Sequence, residues 1–196
     1  MSDKVKVGIV LFNEVEVLDF AGPYEVFSLA TKGKEKIFEV QTVSETGEVI
    51  SARNGLKIVP DLIFKDELIF DILIVPGGYG AEEIEIKNPT MIEWIKLQQK
   101  KVEILASVCT GALLLAEAGI LDNKKATTHW MDYDRLEKEY PRVEVVRGVK
   151  FVDEGHIVTS GGISAGINMS FHIIKRLFGA EVVKDLAKRM EYEIEI

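Results

Sequence analysis

Residues 104–119 read ILASVCTGALLLAEAG, and the fold turns on how that stretch is divided. Its first part belongs to a near-continuous apolar run, VEILASV (102–108), of strand length. Such runs suit parallel strands buried on both faces. Its second part, TGALLLAEAGI (110–120), has the small and leucine-rich composition of a buried helix. A strand therefore passes almost directly into a helix. The residue at the turn, Cys109, is the only cysteine in the chain.

The same alternation runs outward in both directions. Strand-like runs occupy VKVGIVLF (5–12), FEVQTVS (38–44), DILIVPGG (71–78), VEVV (143–146), VKFVDEG (149–155) and HIVTSGG (156–162). Helical patterns fill 22–33, 88–101, 129–140, 164–179 and 180–193. The first has Pro23 near its start and Gly33 at its end, the usual asymmetry of helix termini. Strands alternating with helices predict an α/β fold, a three-layer, doubly wound, flavodoxin-like parallel sheet. The segment 42–61 breaks the rhythm with two short alternating runs joined at Asn54-Gly55, which predicts an added β-hairpin. The lysine-rich stretches TKGKEK (31–36) and QQKK (98–101) read as solvated helix ends and loops. With 196 residues and no Pro/Gly/Ser-rich linker, a single domain over 1–196 is expected.

Composition narrows the function classes. Apolar residues make up 47% of the chain and the formal net charge is −8, so a basic face for nucleic acid is not expected. No apolar stretch approaches the roughly 18 residues of a membrane span. The N-terminus lacks a signal peptide's apolar core and cleavage site, and one cysteine cannot form an internal disulfide. A cytoplasmic protein without membrane or nucleic-acid partners is the expectation. No His/Cys cluster has metal-ligand spacing, GGYGAEE lacks the Lys-Ser/Thr of a P-loop, and GGISAG lacks a downstream ribose-binding acid. Neither a metal nor a cofactor is expected.

In doubly wound sheets, ligands sit beyond the carboxyl ends of the strands. Three such ends carry VPGGYG, SVCTG and TSGGISAG. Cys109 in a tight strand-to-helix turn resembles a nucleophile elbow, and a following helix N-terminus would lower its pKa. The alternative is a small buried hydrophobe. Free amides of Gly78 and Thr110 are candidate oxyanion donors. Asp19, in EVEVLDFAGPYEVF, is either the N-cap of the helix at 22–33 or a carboxyl facing the same cleft, where like charge would raise its pKa and make it a proton donor. His129, in KKATTHWMDYD, is a third candidate, alone before a helix. Tyr79, Gly162 and Ile163 lie in loops expected to wall the pocket, whose apolar or small character suits a modest, uncharged small-molecule substrate. His156 and His172 receive no role.

Four stretches in order, LDFAGPYEVF, ILIVPGGYG, ASVCTGALLLAEAGILDNKKATTHW and TSGGISAGINMSFHII, resemble the ThiJ/PfpI superfamily, which has a class I glutamine-amidotransferase-like fold. The likeness is closest to isonitrile hydratases and to the sensor domains of AraC-type regulators. It implies that Cys109 is the nucleophile, Asp19 its acid partner and His129 a supporting group, in a homodimer. Superfamily proteases place His directly after the nucleophile; here Thr110 stands there. The implied activity is cysteine-dependent hydration of a small electrophile, best an isonitrile giving an N-substituted formamide. Glyoxalase- or deglycase-like chemistry on aldehydes, or ligand and redox sensing, are the alternatives. The C-terminal MEYEIEI has the Glu-Tyr but not the prolines of isonitrile hydratase tails.

Overall fold

The computed structural model describes residues 4–67 and 69–194. Residues 1–3 and 195–196, touched by the expectations about the N-terminus and the acidic tail, lie outside the described residues. The chain opens with β1 (Val5–Val10) and α1 (Val17–Leu29). A small ribbon, β2 (Thr31–Lys32) and β3 (Glu35–Lys36), precedes β4 (Phe38–Ser44). A second ribbon, β5 (Ile50–Ser51) and β6 (Lys57–Ile58), is followed by β7 (Leu62–Ile63) and β8 (Ile72–Val75). Then come α2 (Pro89–Gln99), β9 (Ile104–Ser107), α3 (Gly111–Glu117), β10 (Lys125–Ala126), α4 (Tyr133–Glu139), β11 (Glu144–Val145), β12 (Phe151–Asp153), β13 (Ile157–Ser160), α5 (Ala165–Phe178) and α6 (Ala180–Arg189).

Seven strands form the main sheet in the order β12-β13-β9-β8-β1-β4-β7. Every pairing in it is parallel except the edge pair β12–β13. The central strands explain the apolar runs: β8 and β9 are buried at every position. Helices cover both faces, with α1 against α5 and α2 against α3. Ile9, Leu73, Ile74, Leu105 and Leu113 are fully buried between those layers. Each such side chain contributes about 1.5–3 kcal/mol relative to exposure. From β1 the chain moves to β4 on one side, then returns to β8 on the other. The winding reverses between β1 and β8, where a crevice opens beyond the strand ends. No helix of the described residues is long and apolar enough to cross a membrane.

Four local expectations change. The first helix begins at Val17, not near 22, and ends at Leu29, so Pro23 lies inside it. The N-cap is the extended Glu16, and Asp19 sits in the first turn. The reading of Asp19 as a cap is thereby overturned. TKGKEK is not a helix end but the β2–β3 ribbon, turned at Gly33 with φ 65°. VEVV contributes β11, which pairs with β10 in a separate two-stranded sheet rather than the main one. The last helix stops at Arg189, short of the expected 193. The Asn54-Gly55 hairpin forms as expected, Asn54 taking φ 62° between β5 and β6.

Candidate active site

Cys109 lies two residues beyond the end of β9 and two residues before α3 begins. Its φ is 54°, left-handed for a residue with a side chain. Such a conformation costs on the order of 1–3 kcal/mol and persists only where neighbours over-determine it. Here they do. The Cys109 N–H donates to the Gly161 carbonyl at the end of β13 (3.1 Å). The Thr128 hydroxyl donates to the Cys109 carbonyl (2.9 Å). Two separate segments thus hold the turn that raises the thiol.

Asp19 comes to the thiol from α1. The start of that helix is clasped to the loop after β8: the Glu16 N–H donates to the Gly77 carbonyl (2.9 Å), and the Gly77 N–H donates to Asp19 Oδ2 (2.9 Å). Oδ1 is buried without a hydrogen-bond partner among the described residues, and the Cys109 side chain neighbours the carboxyl group. Asp19 is fully buried. Desolvation pushes its pKa up to about 8, helped by the negative charges of Glu16 and Glu82 and opposed by the Gly77 N–H and Cys109. At neutral pH the carboxyl therefore keeps its proton.

The thiol corrects the sequence-based expectation. Burial pushes the Cys109 pKa up, and a charge on Asp19 adds to the effect. The seven-residue α3 does not offset that burial. The amides of Thr110 and Ile163 and the Thr110 hydroxyl work in the opposite direction, favouring charge on Sγ. The resting pair is a neutral thiol beside a neutral carboxyl, two coupled groups that titrate as a unit.

Gly78 also differs from expectation. Its N–H is not free; it donates to Thr110 Oγ1 (2.9 Å). The site's second amide donor is Ile163, expected only as a wall residue. Ile163 has φ 52°, a genuine outlier for a β-branched side chain. Its N–H is one of the groups that favour charge on Sγ. No sequence pattern flags it, because β-branched residues normally avoid this conformation.

His129 makes no hydrogen bond to Cys109 among the described residues; its neighbours are Met131, Asp132, Trp130 and Gly162. Its Nδ1 accepts from the Met131 N–H (3.4 Å) and lies 3.8 Å from Asp132 Oδ2. Its ring covers Gly162: a Cβ there would stand 2.0 Å from His129 Cδ2. Gly162→Ala is expected to displace that ring and cost about 1–3 kcal/mol by overpacking. Thermal unfolding and the His129 ring proton shifts measure both effects; an unmoved ring would refute the packing role.

Tyr79 sits at the rim, half exposed, with the Arg53 guanidinium 5.5 Å from its ring centroid. Arg53 comes from the β5–β6 ribbon and pairs with Glu14 (3.5 Å). The hairpin thus reaches the mouth of the site, a role unforeseen from sequence. Trp130, Met131 and Ile163 add exposed apolar surface. Asp132 is raised above its ordinary pKa by burial and by Glu82. The mouth combines exposed apolar side chains with paired charges, Arg53 with Glu14 and Arg135 beside Asp132, which suits an uncharged substrate. Among the described residues, no group of three or more His, Cys, Asp or Glu could hold a metal ion.

The sequence and the fold have counterparts in known proteins. The chain is 30% identical over 189 residues to the isonitrile hydratase of Pseudomonas putida, covering 96% of this chain and 78% of that protein. It is 28% identical over 189 residues to the HTH-type transcriptional regulator GbdR of Pseudomonas aeruginosa, covering 95% of this chain but only 50% of the regulator. The crystal structure of a ThiJ/PfpI family protein from Pseudomonas syringae matches with a TM-score of 0.87 at 21% identity, over 99% of this chain and 77% of that one. Enzymes and regulators thus share the flavodoxin-like scaffold. The sequence model of the DJ-1/PfpI family matches residues 5–176, and with a cysteine in a strained turn beyond the sheet's carboxyl edge the chain belongs to that family.

Proposed function

We propose that this protein is a cysteine-dependent hydratase of a small neutral electrophile, an isonitrile, which it converts to an N-substituted formamide. One observation carries the reading: a buried carboxyl that keeps its proton at neutral pH lies beside the only cysteine. An isonitrile carbon is basic before it is electrophilic, so it needs an acid and a nucleophile in contact. The 30% identity to the Pseudomonas putida isonitrile hydratase supports the same substrate class.

The steps balance from the neutral pair. Asp19 gives its proton to the terminal carbon, making a nitrilium and leaving a carboxylate. Sγ bonds that carbon while the thiol proton passes to Asp19. The product is a thioimidate, R–N=CH–S–Cys109, beside a carboxyl that is protonated again. Water then adds to the C=N bond, the nitrogen taking one of its protons. The tetrahedral adduct collapses: the hydroxyl proton leaves, a C=O bond forms, the C–S bond breaks and sulfur recovers a proton. The amides of Thr110 and Ile163 and the Thr110 hydroxyl, which favour charge on Sγ, stabilise the departing sulfur. The reaction uses no cofactor. We place the protein in the cytoplasm as a homodimer, an assembly that sedimentation velocity tests.

The test is formamide production from alkyl and aryl isonitriles across pH. Asp19 must hold its proton to act. Turnover is therefore expected to stay flat up to about pH 8 and then fall about tenfold per pH unit. Absence of turnover, or a profile that rises with pH through 8, would overturn the reading. Turnover of glyoxal-type aldehydes alone would transfer the chemistry to that class. A second reading, ligand sensing without turnover, is favoured by the similarity to the regulator across 95% of this chain. Saturable isonitrile binding with no formamide would favour it.

A further inference from the structure

A cavity of about 500 Å3 opens between β12, α5, α6 and the chain after α6, and shares no residue with the Cys109 site. Phe151, Phe171, Val183 and Ile194 give it apolar walls. Its polar groups come mostly from one stripe of α5: Asn168, His172 and Lys175 are spaced i, i+4, i+7, which stacks them along one helix face. Lys150, just before β12, adds a second ammonium, and Glu193 is the one carboxylate among the lining residues.

The histidine is held in place. Asp153 Oδ2 lies 2.7 Å from His172 Nε2, and the ring stacks on Phe151 with centroids 4.4 Å apart. Asp153 is also gripped by Arg176 through both oxygens, at 2.8 and 2.9 Å. The Asp153 charge is thus consumed by neighbours, and its pKa lies below the usual carboxylate range, with His172, the Gly155 N–H and Arg176 outweighing burial. Opposite, Tyr192 stacks on Phe171 at 5.7 Å and steadies the wall. Neither Lys150 nor Lys175 has a carboxylate within ion-pair distance among the described residues. In a chain of formal net charge −8, two ammonium groups facing one partly apolar cavity are a local reversal of sign.

We propose that this cavity is a second binding site, for a small organic anion with an apolar body, such as an aromatic carboxylate. Phe151 and Phe171 would take the body, Lys150 and Lys175 the anionic head, and Asn168 a hydrogen bond to it. The volume lies within the range of small-molecule sites. The site is independent of the hydratase reading, since none of its residues touches Cys109 or Asp19.

The test titrates benzoate, and separately neutral benzyl alcohol, into the 15N-labelled protein at pH 7, following amide shifts. Saturable shifts at Phe151, Asn168 and His172 with benzoate, and weaker ones with benzyl alcohol, are expected. Lys150→Gln and Lys175→Gln should each weaken benzoate binding about 1.5- to fivefold, the range for one exposed charge pair. Glu193→Gln should tighten it. All three side chains lie at the cavity's edge, so unchanged unfolding temperatures would show that the variants fold. Equal binding of the two probes, no effect of either lysine substitution, or shifts confined to the Cys109 site would overturn the proposal.

Discussion

Asp19→Asn is expected to cut turnover sharply and at the same time to make the protein more stable at neutral pH. The second half follows from where the carboxyl sits. In the unfolded chain Asp19 ionises near its ordinary value of 3.8; in the folded protein it holds its proton to about 8. Between those values the folded state binds more protons than the unfolded state, so stability falls as pH rises through the window. The contribution is fully present below about pH 4, and its loss is complete above about 8. At pH 7 the accumulated loss is on the order of 4 kcal/mol at about 1.4 kcal/mol per unit.

Asparagine removes the titration. It keeps an oxygen to accept from the Gly77 N–H, but its amide is a buried donor group whose lack of a partner costs about 1–3 kcal/mol. The net gain at pH 7 is therefore about 1–3 kcal/mol by the same figures, and the difference should vanish or reverse near pH 4. Urea unfolding of both proteins at pH 4, 6 and 8 measures it. A stability difference that does not change with pH would mean that Asp19 titrates as an ordinary carboxyl, and the acid role would go with it. Activity should fall about 10²- to 10⁴-fold, the usual contribution of a general acid.

Cys109→Ala should leave no measurable turnover, while Cys109→Ser separates nucleophile from shape. The serine variant keeps a polar atom of nearly the same reach but has a far less nucleophilic group. It is expected to lose about 10³-fold or more, as covalent catalysis needs an activated nucleophile. Neither change should unfold the protein: the turn is held by main-chain contacts at Gly161 and Thr128, and both residues retain a Cβ at the same φ. Mass spectrometry of wild type quenched during turnover should show an adduct of one substrate mass on Cys109, absent in both variants. Persistent formamide production by Cys109→Ala would remove the thiol from the chemistry altogether.

What could be read from the sequence, and what could not, divides along a physical line. The runs that became β8 and β9 were legible because strands buried on both faces have no polar alternation to disguise them. Cys109 was legible as a turn residue because a strand and a helix meet there with only small residues between them. The state of the thiol was not, since desolvation depends on what packs over it and overrides any dipole read from chain order. Asp19 illustrates the same limit: Pro23 suggested a helix start, but α1 runs through it from Val17, which carries the carboxyl inside rather than at the cap. Ile163 and Arg53 act through a backbone amide and through a ribbon folded back to the mouth, and neither leaves a local signature. Chain segments of two residues, such as β7 and β10, fall below the length at which alternation can be recognised.

The strained turn has a consequence for how the chain acquires its reactivity. The contacts that hold Cys109 at positive φ come from Gly161 and Thr128, both later in the chain. A chain emerging from synthesis carries an ordinary, labile cysteine until those segments arrive and close over it. After that Cys109 is 5% exposed, and an alkylating reagent meets it only through the small opening that a substrate would use. The labelling rate of this single sulfur therefore separates chains whose later segments have closed over the turn from chains whose segments have not, readable by mass in a cell lysate.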